Sequence, residues 1–214
     1  YLNDFSLLTI REENGKKWLK EILNIDVPVV LDPTLLLERE DYQKIEDSYD
    51  ENISGKYIFY YSPSYKPEIN KLVNKISKKY GLRVIAWNPR SYYLKLMNFS
   101  NFYLPKKQNP GVYLSLIRDA ELVITTSFHG TIFSTIYQKK FWVIKNGEMY
   151  GDDDRVRTLI NQLCIADRLI PSNYNEDFDY LKEVNYKKYE EELANMKNFS
   201  QNTLLRGINN DNKA

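Results

Sequence analysis

Short apolar runs alternate with longer amphipathic segments along most of this chain. Four of the runs have the length and the boundaries that are typical of buried strands: Tyr57–Tyr61, Leu82–Trp87, Leu122–Thr125 and Phe141–Ile144. The intervening segments include stretches whose apolar residues recur about every 3.6 positions, which predicts helices. Alternating strands and helices indicate a parallel sheet, and the copies are too few for an eight-stranded barrel. The sequence therefore predicts an α/β fold with an open, doubly wound sheet.

A shorter pattern of the same kind comes first in the chain. Phe5–Ile10 and Val27–Leu31 have the composition of strands, and the segment between them has helical periodicity. The polar stretch Glu38–Lys56 then breaks the alternation before it restarts. We therefore expect residues 1–45 to be the C-terminal part of one Rossmann-type domain, 46–170 a second Rossmann-type domain, and 171–214 a helical tail.

Composition excludes several classes of protein. The net charge of +1 gives no electrostatic argument for a nucleic-acid partner. No apolar run approaches the roughly 20 residues of a transmembrane helix, and no signal peptide is visible. A single cysteine, Cys164, fits a reducing compartment. The 18 tyrosines fit either bulky filling of core and surface or, as the alternative, aromatic platforms for sugars.

The segment with the clearest chemical potential follows the strand Leu122–Thr125. Thr126, Ser127, His129 and Gly130 lie between this strand and a helix predicted from about Gly130 to Tyr137. Amide groups at a helix N-terminus favour anions, and a glycine allows close approach to the backbone. His129 is the chain's one histidine, so it is the natural candidate for proton transfer, although capping or packing would also explain it.

Several segments together resemble the polysaccharide pyruvyl transferase family. The signature-like segment is Thr126–Thr131, which contains Ser-Phe-His-Gly-Thr. Leu8–Glu12 followed by Gly15 resembles the family's strand ending in arginine and an acid, and Val30–Leu36 resembles its Leu-Asp-Pro-Thr-Leu-Leu segment. The final matches are Arg155–Leu159 and Asp167-Arg168.

The resemblance implies a GT-B-like fold, in which two Rossmann-type domains face a cleft and the C-terminal helix packs back on the first segment. It also implies transfer of pyruvate from phosphoenolpyruvate to a sugar of a bacterial cell-surface polysaccharide, such as an exopolysaccharide, or its lipid-linked precursor. The product is a pyruvate ketal. On this basis we expect His129 and Arg11 to be catalytic and to lie within roughly 10 Å of each other when the cleft closes. The implied substrate-binding residues in the donor site are Ser127, Gly130, Thr131, Lys145 and Arg155.

The expected partners are therefore phosphoenolpyruvate and a glycan or lipid-linked acceptor, with no cofactor and no metal. Asp152–Asp154 could suggest a divalent cation, but aspartates are also favoured at the start of a helix such as Arg155–Leu163. We expect a cytoplasmic enzyme, with peripheral membrane contact through its acceptor. A nucleotide-sugar glycosyltransferase of the same fold, and a non-catalytic module that binds a glycan or a partner, stay open as alternatives.

Overall fold

The four predicted strands of the central region lie side by side in one sheet. The computed structural model describes residues 2, 5–48, 53–87, 102–145, 154–170, 175 and 177–211. Within them the sheet has six parallel strands in the order β3-β2-β1-β4-β5-β6. The strands are β1 (Tyr57–Tyr61), β2 (Arg83–Ala86), β3 (Phe102–Tyr103), β4 (Leu122–Thr125), β5 (Phe141–Ile144) and β6 (Leu169–Ile170). The predicted strands are thus confirmed, and the two-residue strands β3 and β6 extend the sheet at its edges.

The central strands are buried on both faces, as expected for a parallel sheet covered by helices. All residues of β4 and β5 are buried, and β1 is buried except at its last residue, Tyr61. β1 lies between β2 and β4, with Phe59 opposite both Ile85 and Val123. The apolar runs of the sequence are therefore explained by burial on two sides.

Among the described residues of this part of the chain there are four helices: α2 (Arg39–Gln43), α3 (Pro67–Tyr80), α4 (Pro110–Asp119) and α5 (Phe128–Ile136). Both α3 and α4 begin with a proline at the first helical position, where its missing N–H costs no hydrogen bond. The Asn109 side chain caps α4 by accepting from the Val112 N–H at 2.8 Å. Gly81 ends α3 in the left-handed conformation with φ of 63°.

Contacts between Cα atoms divide the chain into two units. The first unit comprises Tyr1–Leu37, Gly151–Ala166 and Asn185–Ala214, and the second comprises Glu38–Tyr150 and Asp167–Val184. The sheet lies in the second unit. These bounds differ from the predicted division at residues 46 and 171, because the predicted helix Arg155–Leu163 packs with the first residues of the chain and not with the sheet.

The first unit contains α1 (Glu13–Leu23), a 3₁₀ turn (Pro33–Leu36), α6 (Asp154–Gln162) and α7 (Tyr186–Asp211). The C-terminal helix α7 packs on the first segment, as predicted, since Ser200 Oγ accepts from the Leu31 N–H at 2.9 Å. The side chain of Lys197 also donates to the Leu37 carbonyl at 3.1 Å. The helix of the predicted tail therefore belongs to this unit, whereas the tail residues before Asn185 belong to the second.

The two strands predicted in the first unit are reduced to one parallel bridge between Ile10 and Val29. The Ile10 N–H donates to the Pro28 carbonyl, and the Val30 N–H donates to the Ile10 carbonyl. Pro28 has no N–H, so the next hydrogen bond of a parallel ladder, to the Leu8 carbonyl, cannot form. The start of α1 ends the pairing in the other direction. The prediction of two full strands was therefore wrong within the residues described.

Candidate functional site

The junction between β4 and α5 is organised by a helix cap. Ser127 is the N-cap of α5, and its side chain accepts from the Gly130 N–H at 3.4 Å. The helix begins at Phe128, two residues before the predicted start. His129 is therefore the second residue of the helix and does not lie in a loop before it. Its side chain is exposed, and its ring lies edge-on to Phe128 at 5.3 Å between centroids.

Thr125, the last residue of β4, organises this junction through its hydroxyl group. Its hydroxyl donates to the Tyr61 carbonyl at 2.8 Å and accepts from the Ser127 N–H at 3.0 Å. A Cβ atom at Gly130 would collide with this hydroxyl and would lie 2.9 Å from the Thr125 Cβ. Glycine is thus required at position 130 because β4 and α5 pack so closely, which is a structural reason in addition to the predicted approach of an anion.

The other hydroxyls of the segment are hydrogen-bonded within the protein. Thr131 is fully buried, and its hydroxyl donates to the Ser127 carbonyl at 3.0 Å. Ser134 donates to the Gly130 carbonyl at 2.7 Å, and Thr126 shares a 2.8 Å hydrogen bond with Ser62. Thr131 therefore contributes to the fold of the first turn. An anion at this end of α5 would be bound chiefly by backbone dipoles.

His129 lies where the strand order of the sheet reverses. β1 is followed in sequence by β2 on one side, whereas β4 pairs with β1 on the other side. The carboxyl ends of two such strands form the crevice in which doubly wound sheets bind ligands. A cavity of about 330 Å³ opens there, and it is lined by Tyr61, Trp87, Gln108, Asn109, Pro110, Tyr113 and His129. The prediction that His129 lies at the carboxyl edge of the sheet is thus supported by the geometry.

Sequence reasoning did not single out Tyr113, which lines this cavity from helix α4. Its ring contacts those of Tyr61 and Trp87, with centroids 5.6 and 5.5 Å away. Burial raises its pKa well above the usual value for a tyrosine. The excess of tyrosine was the available signal, but it could not tell a tyrosine that lines a site from the many that do not.

Lys145 lies at the same edge of the sheet as His129. It directly follows β5, the neighbour of β4, and its backbone N–H donates to the Ile170 carbonyl at 3.1 Å. Its side chain is exposed. The structure therefore brings the predicted residues Ser127, His129, Gly130 and Lys145 to one edge of one sheet.

Arg11 lies in the first unit, where a buried carboxylate holds it. Its Nη1 is 2.5 Å from Asp32 Oδ2, and the exposed fractions of the two side chains are 37% and 3%. The other oxygen of Asp32 accepts from the N–H and the hydroxyl of Thr34. Burial by itself would raise the pKa of Asp32, but the hydrogen bonds from Thr34 and Arg11 outweigh it and lower that pKa.

Asp32 is also the N-cap of the 3₁₀ turn that begins at Pro33, as expected of an aspartate directly before a proline. Its second role, as the partner of Arg11, was not foreseen. Arg11 was expected to be catalytic, and the separation of 21 positions between Arg11 and Asp32 gave no local signal for their contact.

Arg155 is half-buried on α6 in the first unit. In the same helix, Asp154 accepts from the Asn14 N–H at 2.7 Å, so it contributes to the capping of α1. Asp152 and Asp153 lie outside the described residues. Among the residues that are described, no group of three or more His, Cys, Asp or Glu side chains is placed to hold a metal ion.

The predicted site residues therefore fall into two groups. Arg11 and Arg155 belong to the first unit, whereas Ser127, His129, Gly130, Thr131 and Lys145 belong to the second. Each group has a defined local geometry. The proximity of Arg11 to His129 stays a prediction.

Comparison with known proteins extends the resemblance seen in the motifs. The family model of the polysaccharide pyruvyl transferases matches residues 1–148, which include Arg11, the β4–α5 junction and Lys145. The chain belongs to the polysaccharide pyruvyl transferase family. Arg155 and the Asp167-Arg168 pair lie beyond the matched range. No protein of curated function matches the chain significantly.

Two solved structures of UDP-GlcNAc 2-epimerases resemble this member of the family. The enzyme from Methanocaldococcus jannaschii, in complex with UDP-GlcNAc and UDP, has a TM-score of 0.50 and 15% identity, over 89% of this chain and 60% of that one. The enzyme from Neisseria meningitidis bound to UDP-GlcNAc has a TM-score of 0.45 and 14% identity, over 94% and 61%.

At such identities the likeness concerns the fold alone, which is GT-B-like α/β. This chain spans about 60% of the length of the epimerases. Within its described part, no helix is both long and apolar enough to cross a bilayer.

Proposed function

We propose that this pyruvyl transferase family member transfers pyruvate from phosphoenolpyruvate to a sugar of a polysaccharide or of its lipid-linked precursor, forming a ketal. The observation that carries the proposal is the position of His129. It is an exposed histidine in the first turn of α5, at the carboxyl edge of the sheet and beside a cavity. That position combines a proton-transfer group with a helix terminus that attracts anions.

The proposed reaction consumes no water. C3 of phosphoenolpyruvate takes a proton while a sugar hydroxyl adds to C2 and loses its own proton. The bond between C2 and the phosphate oxygen then breaks, and phosphate leaves with the bonding electrons. A second hydroxyl of the same sugar attacks the oxocarbenium carbon and loses its proton, which closes the ketal ring.

Each step matches a group in the protein. His129 is assigned the proton transfers, because histidine is the side chain that most often transfers protons in catalysis. The start of α5 would bind the phosphate, and Lys145 would stabilise the charge that develops on it. Arg11, held by Asp32, would bind the carboxylate through a guanidinium, whose planar fork suits two-point contact. Arg155 would be a second contact for an anion.

The proposed donor also indicates the cellular compartment in which the reaction occurs. Phosphoenolpyruvate is a metabolite of the cytoplasm, so we propose that the reaction occurs there. Contact with the membrane would then come from a lipid-linked acceptor.

Donor-induced stabilisation tests the proposal. A ligand that binds only the folded state stabilises it by mass action, by about 2.7 kcal/mol at one hundred times its Kd, and so raises the melting temperature. Phosphoenolpyruvate should raise the melting temperature and should release phosphate when an acceptor glycan is added. Stabilisation by UDP-GlcNAc and not by phosphoenolpyruvate would favour a nucleotide-sugar glycosyltransferase and would reject the proposal. Stabilisation by neither would favour a non-catalytic module.

A further inference from the structure

The loops that follow β1 and β4 form the two sides of the crevice at which the strand order reverses. Helix α3, which follows β1, packs on the face of the sheet that carries Tyr60 and Ile124. Helix α5, which follows β4, lies on the opposite face, because its Phe133 contacts Tyr113 and Tyr113 contacts Phe59. The two segments therefore diverge where the strands end. Their relative position depends on contacts between the first residues of each loop.

A hydrogen bond between two buried hydroxyl groups connects these loops. Ser62, directly after β1, is fully buried, and Thr126, directly after β4, is 8% exposed. The Ser62 Oγ and Thr126 Oγ1 atoms are 2.8 Å apart. The Tyr61 carbonyl accepts two more hydrogen bonds from the same segment, from the Thr125 hydroxyl at 2.8 Å and from the Thr126 N–H at 3.2 Å. The end of β4 is therefore fastened to the end of β1 one residue beyond the paired strands.

The loop after β1 fixes Ser62 through a residue with a strained backbone. Tyr65 has a φ of 44°, a left-handed conformation that a bulky side chain rarely adopts. Its N–H donates to Ser62 Oγ at 3.1 Å, and its hydroxyl contacts the carbonyl oxygens of Tyr60 and Trp87. Strained residues persist where several contacts determine their conformation, and they cluster at functional sites. The Ser62 hydroxyl is thus held in place before any ligand binds.

We propose that Ser62 and Thr126 are positioning residues for His129: their hydrogen bond sets where the first turn of α5 begins relative to β1, and so where the imidazole lies at the crevice. Thr126 is followed directly by Ser127, the N-cap of α5, and His129 is the second residue of that helix. A displacement of Thr126 would therefore pass to the cap and to the imidazole. The inference rests on the proposed function, because the position of His129 affects the rate only if His129 takes part in the reaction.

Removal of one hydroxyl with little change in volume tests this role. Thr126→Val and Ser62→Ala, measured in the full chain, should each lower kcat/KM for phosphate release from phosphoenolpyruvate roughly 10-fold, the effect of one hydrogen bond. Thr126→Ser keeps the hydroxyl and should retain the parental value to within about twofold. The double variant of Ser62→Ala and Thr126→Val should fall little below the single variants, because both changes remove the same hydrogen bond.

A second measurement needs no activity. His129 is the one histidine of the chain, so its Hε1 proton gives a single signal in the NMR spectrum. Its ring lies 5.3 Å from that of Phe128, whose ring current makes the signal sensitive to small displacements. Thr126→Val and Ser62→Ala should move this signal at a fixed pH. Thr135→Val is the matched control, because it removes a buried hydroxyl, bonded to the Ile132 carbonyl at 2.7 Å, from the last turn of the same helix. It should leave both the signal and kcat/KM unchanged.

The outcomes separate this role from the proposed function. If the signal moves in Thr126→Val and Ser62→Ala, but the parent releases no phosphate from phosphoenolpyruvate, the positioning of the imidazole stands and pyruvyl transfer is rejected. An unmoved signal in both variants would overturn the positioning, whatever the activity. An equal displacement of the signal in Thr135→Val would also overturn it, since the cause would then be general destabilisation. In an active enzyme, a displaced signal with parental kcat/KM would overturn the role in the reaction.

Discussion

Asp32 holds Arg11 through a 2.5 Å contact between Oδ2 and Nη1, while Thr34 binds the opposite oxygen of the same carboxylate. The carboxylate is buried, so its position is fixed by the backbone of the turn that it caps. One nitrogen of the guanidinium is therefore fixed as well. Asp32 is a positioning residue for Arg11, and this relationship can be tested separately from the charge of Arg11.

Arg11→Lys should weaken phosphoenolpyruvate binding even though the positive charge is kept, because an ammonium cannot make the paired contacts of a guanidinium. Asp32→Asn should also raise the KM for phosphoenolpyruvate, since the guanidinium loses its fixed partner. Hydrogen bonds to charged groups contribute about 1.5–3 kcal/mol, so we expect changes of roughly 10–100-fold. Steady-state kinetics would measure both effects.

The double variant shows whether the two residues act together. If Asp32 works through Arg11, adding Asp32→Asn to Arg11→Lys should raise the KM little further. Fully additive effects would show that Asp32 serves the fold alone. Parental binding by Arg11→Lys would remove Arg11 from the donor site.

His129→Ala should abolish most phosphate release from phosphoenolpyruvate, with a loss of about 10²–10⁴ in rate that is typical for an acid–base group. The melting temperature should change little, because the side chain is exposed. Lys71→Ala, at an exposed position on α3, is the control and should keep the parental rate. Unchanged turnover in His129→Ala would contradict the catalytic assignment.

Gly130→Ala should destabilise the second unit by about 1–3 kcal/mol, because the added methyl group collides with Thr125 and the buried junction has little room to adjust. Thermal unfolding would measure the loss. Ser134→Ala is a useful comparison, since it removes one hydrogen bond from the same helix without adding volume. If Gly130→Ala is no less stable than Ser134→Ala, the packing argument fails.

Asp47 should make stability depend on pH at the acid end. Hydrogen bonds from Lys107 and Asn109 lower its pKa from 3.8 to about 2. Because the folded-state pKa is the lower one, its stabilising effect is present above pH 3.8 and is lost as the pH falls through about 2. Asp47→Asn should therefore flatten the pH dependence of unfolding between these values. An unchanged slope would show that the ion pair with Lys107 has no effect in solution.

The sequence predicted the sheet well because its strands are buried on both faces and so stand out as apolar runs. For β1, β4 and β5, the apolar run alone was enough to predict the strand. β3 and β6 were missed, since two residues are too few to form a recognisable pattern. The pairing around Ile10 and Val29 was predicted to be longer than it is. The composition of both segments favoured a ladder of several residues, but Pro28 prevents its continuation.

The candidate site was predictable where its residues form one local motif or directly follow a recognisable strand, as Lys145 follows β5. Ser127, His129 and Gly130 form one local motif, so their position at a helix start could be inferred. Asp32 beside Arg11 and Tyr113 beside Trp87 depend on contacts between distant parts of the chain. The contacts that orient the guanidinium, and those that form the wall of the cavity, are therefore seen only in the structure.

The first unit is assembled from three separated segments, and the chain passes between the units at residues 37, 150, 166 and 184. During synthesis on a ribosome, the second unit could complete its sheet as soon as Val184 has emerged. The first unit must wait longer, because Ser200 of α7 supplies the partner of the Leu31 N–H. Until then residues 5–37 lack the helix that packs on them, so they are the described segment most exposed to chaperones and proteases during synthesis.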